Sequence, residues 1–256
     1  RELDQVLPSK PVQVGGTGNA SILPPDVDDG SSDNCSISNF GLTQSLFSCL
    51  DVGQDTISLI VIDSSGNSST CASVVTIEDT VPPVAQCRSF ILQLDSLGGA
   101  IATVGDVDNG SSDVCGIASL NLSASVGTGT SLAFGCQDVG ANLVTLTVTD
   151  SAGNADSCVS QITIQDTVAP EAVCQNLTVQ LDGNGMAMIS LVDVDNGSSD
   201  ACGISVLNLS PSNGFGQALS FNYQDVGVNP VTLTAVDSNS NVDSCVAQVT
   251  VEDSIL

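Results

Sequence analysis

The chain has 256 residues, with 3 Lys+Arg against 29 Asp+Glu, a formal charge of -26, and neither histidine nor tryptophan. Such a charge repels phosphate backbones and anionic membrane surfaces, and without histidine the commonest general base and transition-metal ligand is missing, so nucleic-acid binding is excluded and an enzyme is not expected. Hydrophobic residues at 41% supply a core, no apolar run approaches the roughly 18 residues of a membrane span, and the length allows two or three domains.

The chain opens on Arg1-Glu2-Leu3-Asp4, without the basic and then apolar regions of a secretory leader, as expected of a processed protein or a segment of a longer one. The first strong signal follows. Asp26-Val27-Asp28-Asp29-Gly30-Ser31-Ser32-Asp33 returns at 106–113 as Asp-Val-Asp-Asn-Gly-Ser-Ser-Asp, and again unchanged at 193–200. Asp-Val-Gly recurs at Asp51, Asp138 and Asp225, Asp-x-x-x-Asn at Asp63, Asp150 and Asp237, and an acidic strand end at Asp79, Asp166 and Asp253, each series stepping by 87 residues. The chain is therefore three copies of one unit, with predicted domains 1–80, 81–167 and 168–256.

In the middle copy, β-branched residues alternate with polar ones, as in Val144, Leu146 and Val148 against Thr145, Thr147 and Thr149. A period of two marks strands with one buried face. The pattern predicts strands at 90–94, 100–104, 117–122, 131–134, 143–149 and 158–164, separated by Gly, Asp, Asn and Ser clusters, with no helical pattern anywhere. The expected fold is all-β: three tandem immunoglobulin-like β-sandwiches stacked end to end without a flexible spacer. In that topology the Asp-rich loop and the Asp-x-x-x-Asn turn share the top of each sandwich, while Asp-Val-Gly and the last strand end lie at the bottom, against the top of the next copy.

The strings Val-Cys-Gln-Asn-Leu-Thr-Val-Gln-Leu-Asp, Asp-Val-Asp-Asn-Gly-Ser-Ser-Asp, Val-Thr-Leu-Thr-Val-Thr-Asp and Val-Glu-Asp resemble the HYR-type (hyalin-like) immunoglobulin repeats of large secreted Bacteroidota surface proteins, gliding-motility adhesins among them. The resemblance implies an extracellular, cell-surface adhesin or filament and no particular ligand. It also implies that Asp-Ser/Thr-apolar triplets are O-glycosylation signals, with Thr80 and Thr167 the preferred sites.

Asp-x-Asp-x-Gly spacing turns several carboxylates toward one centre, and hard oxygen donors without histidine or free thiolate favour Ca²⁺. No Glu stands at the twelfth position, which excludes an EF-hand. The candidate ligands are Asp26, Asp28, Asp33, Asp63 and Asn67 in copy one; Asp106, Asp108, Asp113, Asp150 and Asn154 with the junction residue Asp79 for copy two; and Asp193, Asp195, Asp200, Asp237 and Asn241 with Asp166 for copy three. Asp51, Asp138 and Asp225 are assigned to turns.

Ten cysteines indicate disulfides and an oxidising compartment. Copy one has Leu7 in place of Cys87, and copy three has Tyr223 in place of Cys136. Two pairings are open. One bridges Cys35/Cys71, Cys115/Cys158 and Cys202/Cys245 inside the copies and crosses the joins with Cys49/Cys87 and Cys136/Cys174, leaving no thiol over; the other, implied by the HYR resemblance, joins Cys87 to Cys158.

The expected function is non-catalytic: a calcium-stiffened, disulfide-bonded repeat segment of an extracellular adhesin or cell-surface filament. Its partners are neighbouring repeats or copies of the same protein, and an unidentified surface or glycan. The alternatives are a self-assembling filament subunit and a calcium-dependent glycan- or surface-binding module.

Overall fold

The computed structural model describes residues 11–210 and 216–253. Copy one contains β1 (Pro11–Val14), β2 (Asn19–Ser21), β3 (Ile37–Leu42), β4 (Leu46–Ser48), β5 (Gly53–Asp63) and β6 (Ser68–Asp79). Copy two follows with β7 (Phe90–Gln93), β8 (Gly99–Thr103), β9 (Ile117–Ala124), β10 (Gly127–Gly129), β11 (Ser131–Gly135), β12 (Gly140–Asp150) and β13 (Ala155–Gln165). Copy three closes with β14 (Leu177–Gln180), β15 (Met186–Ser190), β16 (Ile204–Ser210), β17 (Ala218–Asn222), β18 (Gly227–Asp237) and β19 (Val242–Glu252).

The chain divides into two compact units, Arg1–Arg88 with Thr103–Leu132 and Leu143–Ser160, and Ser89–Ala102 with Ala133–Asn142 and Gln161–Leu256. Each unit contains one of the two places where a repeat follows another. In the first, the sheet order is β1-β6-β5-β3, with β2 paired to β4 in a second sheet. Its core joins Ala20 and Phe47 of the small sheet to Val14, Ile57, Leu59, Val75 and Ile77 of the large one, so the two sheets face each other as a sandwich. The same unit pairs β9 with β12, placing Leu122 beside Leu146.

The second unit repeats the plan. Its large sheet runs β14-β19-β18-β16, its small sheet is β15-β17, and Ile189, Leu219 and Phe221 pack against Leu209, Leu233, Val249 and Val251. Here too β7 runs parallel to β13, Phe90 opposite Ile162, as β1 does to β6 and β14 to β19. First strand parallel to last is the edge arrangement of an immunoglobulin-like sandwich. Val144, Leu146 and Val148 are fully buried while the intervening threonines are not, as the alternation predicts.

Two features depart from the sequence reading. One-turn helices α1 (Pro24–Val27), α2 (Val104–Val107) and α3 (Leu191–Val194) open each Asp-rich loop; four residues are too few to leave a helical period. In α2 the Thr103 amide and hydroxyl both donate to Asp106 Oδ2, at 2.8 and 2.6 Å. Cys87 and Cys174 do not sit on the first strand. Each lies ahead of it, in a segment bridged to its own Asp-rich loop, Cys87 to Asp108 and Cys174 to Asp195.

Candidate functional site at the joins between repeats

The joins are where the acidic loops, turns and cysteines converge. Each eight-residue loop is a chain of local acceptors. Asp106 caps α2, Asp108 Oδ1 accepts the Ser111 amide at 3.0 Å, and Asp113 Oδ1 accepts the Cys115 amide at 2.7 Å. Asp193, Asp195 and Asp200 make the same bonds to Ser190, Ser198 and Cys202, and Asp26, Asp28 and Asp33 to Leu23, Ser31 and Cys35.

The Asp-x-x-x-Asn turns are equally uniform. Asp150 Oδ1 accepts from the Ala152 and Asn154 amides at 2.9 and 2.8 Å, and its Oδ2 from Asn154 Nδ2 at 2.8 Å. Asp63 with Asn67, and Asp237 with Asn241, do the same. These carboxylates hold their hairpin turns closed. Asp51, Asp138 and Asp225 each accept the amide three residues before them.

What crosses each join is a smaller set. Asn154 Nδ2 donates to the Asp79 carbonyl at 3.0 Å, and Asn241 Nδ2 to the Asp166 carbonyl at 3.2 Å. The carboxylates of Asp79 and Asp113 approach each other, as do those of Asp166 and Asp200, within 4.8 Å and each alongside a cysteine sulfur. Asp79 and Asp166 are each only 7% exposed. The sulfurs are those of Cys115 and Cys202, which are in disulfides and offer no thiolate, so the donors at each join are two carboxylates. Two like charges that close, half out of water, favour a cation between them. No basic side chain supplies it: Arg88, the one described Lys or Arg, donates to the Gly105 and Asp106 carbonyls. Of the seventeen sequence-predicted ligands, Asp79, Asp113, Asp166 and Asp200 are thus the ones whose carboxylates the structure brings together across joins; Asn154 and Asn241 reach across as hydrogen-bond donors from their turns, and the others serve caps and turns.

The disulfides correct the within-copy and cross-join pairings. The bridges are Cys49–Cys115 and Cys136–Cys202 across the joins, and Cys87–Cys158 and Cys174–Cys245 within repeats. The expected Cys115/Cys158, Cys202/Cys245, Cys49/Cys87 and Cys136/Cys174 are not formed, and Cys35 and Cys71, expected as a pair, are free. The reason is the bridging of 84–87 to the loop of its own repeat, which carries Cys87 away from the preceding copy and to within 5.9 Å, Cα to Cα, of Cys158. Cys49, in the 3₁₀ turn Cys49–Asp51, then meets Cys115 instead, at 5.1 Å. Crossing of the joins by Cys49 and Cys136 stands; their partners change.

Two glycines make room for these bridges, a contact the sequence reading missed. Gly98, in the left-handed region at φ +75°, would place a Cβ 2.7 Å from Cys136 Sγ and 3.3 Å from the Ala201 Cβ; at Gly18 the corresponding Cβ would lie 3.3 Å from Cys49 Sγ. Thr80 and Thr167 are exposed and donate to Gln13 and Gln93.

Backbone donors hold several aspartates below the usual carboxylate range: Asp95 through the Gly99 and Leu97 amides, Asp182 through Met186 and Asn184, Asp156 through Ala85, and Asp243 through Ala172. A carboxyl depressed on folding stabilises the native state above its unfolded pKa, about 3.9, and that contribution disappears as pH falls through the lower, folded value. The thermal midpoint is therefore expected to fall as the pH drops below about 4. A midpoint that rises on acidification through that window would refute the assignment.

Residues 78–164 match the HYR domain, the middle repeat almost entire. The chain is 32% identical over 211 residues to hyalin from Strongylocentrotus purpuratus, covering 78% of this chain and 16% of that protein, and 32% identical over 161 residues to hyalin from Lytechinus variegatus, covering 61% and 29%. The chain thus spans less than a third of either hyalin. Among solved structures, the titin I-band fragment I67-I69 aligns over 95% of both chains with a TM-score of 0.42 and 10% identity. The middle repeat thus matches the HYR domain, and the chain as described follows an all-β, immunoglobulin-like plan. Both hyalins are sea-urchin proteins, so the likeness to Bacteroidota adhesins rests on the quoted motifs alone. No helix among the described residues is long and apolar enough to cross a membrane.

Proposed function

We propose that this chain is a non-catalytic structural segment of an extracellular adhesin or cell-surface filament, made of the three modules 1–80, 81–167 and 168–256 and stiffened at its joins by calcium together with disulfides. The observation that carries this reading is the repetition of one join: Asp79 with Asp113 beside Cys49–Cys115, and Asp166 with Asp200 beside Cys136–Cys202. A catalytic site has no need of duplication, whereas a spacer gains from every copy. Calcium takes 6 to 8 oxygens, and at each join the paired carboxylates would hold it, with carbonyls and water completing the shell. The ion would supply the positive charge that no described side chain brings there. Ordering a join with a cation and a covalent bridge removes hinge freedom, and whatever binds at the far end of the array is then held away from the cell. Its partners on this reading are neighbouring repeats and an unidentified surface or glycan, with Thr80 and Thr167 open to O-glycosylation.

After EDTA treatment, calcium added to 100 times its Kd is expected to stabilise the chain by about 2.7 kcal/mol per site, read as a higher thermal midpoint and, in small-angle scattering, a longer particle. Asp79→Asn with Asp166→Asn should abolish the response. An unchanged midpoint in the parent chain would remove calcium from the reading and leave the disulfides as its stiffening element.

A further inference from the structure

The top face of the first repeat carries the same groups as the tops of the second and third, and among the described residues no other repeat packs on it. Asp33 Oδ1 accepts the Cys35 amide at 2.6 Å, as Asp113 and Asp200 accept those of Cys115 and Cys202. Asp63 holds Asn67 as Asp150 holds Asn154. The local structure is therefore already formed. Burial is what differs: Asp150 and Asp237 are each 2% exposed, whereas Asp63 is half-buried, and Asp33, Cys35 and Asn67 are exposed where their equivalents in both later repeats are half-buried. Cys35 is a free thiol, while both equivalent cysteines are bridged to the 3₁₀ turn of the repeat before, which follows β4 in the first repeat and β11 in the second.

We propose that Asp33, Cys35, Asp63 and Asn67 form a docking face for the lower end of a further HYR-type repeat, placed as the first repeat is toward the second, and that Cys35 closes a disulfide with that repeat's cysteine. The two joins define what the occupant carries: a cysteine at the position of Cys49 and Cys136, a glycine at that of Gly18 and Gly98 to admit the sulfurs, and a final-strand aspartate whose carbonyl accepts from Asn67. The chain's own third repeat does not qualify. Its equivalent of Cys136 is Tyr223, 71% exposed, so a copy of this chain cannot dock covalently by that end. The first repeat thus offers one half of a covalent join, and the third lacks the cysteine of the other half. The inference rests on the chain being a structural repeat array and is independent of calcium. Bond formation takes two protons and two electrons from the paired thiols, and a small disulfide such as oxidised glutathione accepts them, leaving as two thiols.

Tyr223→Cys in the full chain restores the missing half. In a glutathione redox buffer this variant is expected to give a ladder of disulfide-linked oligomers on a non-reducing gel, with peptide mapping joining the introduced cysteine to Cys35. The parent chain, the double variant Tyr223→Cys/Cys35→Ser, and Gln224→Cys, which sets an exposed thiol one residue away, should remain monomeric. A monomeric Tyr223→Cys, a ladder that survives loss of Cys35, or an equal ladder from Gln224→Cys would overturn the proposal. Far-UV circular dichroism and mapping of the four native bridges establish that each variant is folded. A measurement on the parent chain stands apart from any variant: native Cys35 must react with iodoacetamide well ahead of Cys71, and equal rates would also overturn it. With the gel run in calcium and in EDTA, a ladder in both alongside a calcium-insensitive midpoint keeps this inference and sinks the calcium reading; the reverse result sinks this inference alone.

Discussion

Replacing Cys136 and Cys202 together by serine is expected to lower the unfolding free energy of the unit they belong to by about 4 kcal/mol, the chain-entropy value for a bridge across a separation of this length. That separation is 66 residues, the same as for Cys49–Cys115. In this account the loss arises in the unfolded chain, so the native strands should be unaffected: far-UV spectra of parent and variant should superimpose while the urea midpoint falls. Removing both partners matters, since a single serine would leave a reactive thiol in the join. Equal midpoints would mean that the bridge is either not formed or strained enough to cancel its own effect.

Gly98→Ala should cost nearly as much by a different route. A non-glycine residue in the left-handed region loses about 1 to 2 kcal/mol, and overpacking adds about 1 to 3, because the new methyl would lie 2.7 Å from Cys136 Sγ with Ala201 closing the other side. Gly185 is the internal control. It occupies the same turn of the third repeat at φ +68°, but nothing lies within 4 Å of its would-be Cβ. Gly185→Ala should therefore show the backbone cost alone, and the difference between the two variants measures how tightly the join closes on its disulfide. That difference should shrink when Cys136 and Cys202 are absent, which thermal unfolding of the combined variant would show. Equal losses at the two glycines would mean that the close approach is not real.

Strands, repeats and the sandwich plan were legible because a period of two and a step of 87 residues are carried by many residues at once. The turn roles of Asp51, Asp138 and Asp225 were equally plain. Less readable was which aspartates would serve backbone amides. Asp106 and Asp108 look like ligands by spacing, yet a carboxylate three residues after a strand end is also a helix cap, and only the backbone path separates the two uses. The cysteines are the instructive case. Cys49 to Cys87 and Cys136 to Cys174 are evenly spaced, but so are Cys49 to Cys115 and Cys136 to Cys202, so spacing alone cannot choose. A signal was nonetheless present: bringing Asp113 to the junction beside Asp79 also brings Cys115, two residues on, to the same place. Gly18 and Gly98 could not have been found, since nothing local distinguishes them from Gly185.

The four bridges interlock along the sequence, because each loop closes only after the next has opened: 49–115, 87–158, 136–202 and 174–245. A tether pulled from its ends would therefore not pay out its full length even with every strand undone. The shortest covalent route from Cys49 to Cys245 crosses Cys49–Cys115, Cys87–Cys158 and Cys174–Cys245 and contains roughly a fifth of the backbone between them, at 3.3 to 3.6 Å per residue fully extended. Shear that unfolds the sandwiches would meet an inextensible strap, and refolding would begin from ends still held close to their partners.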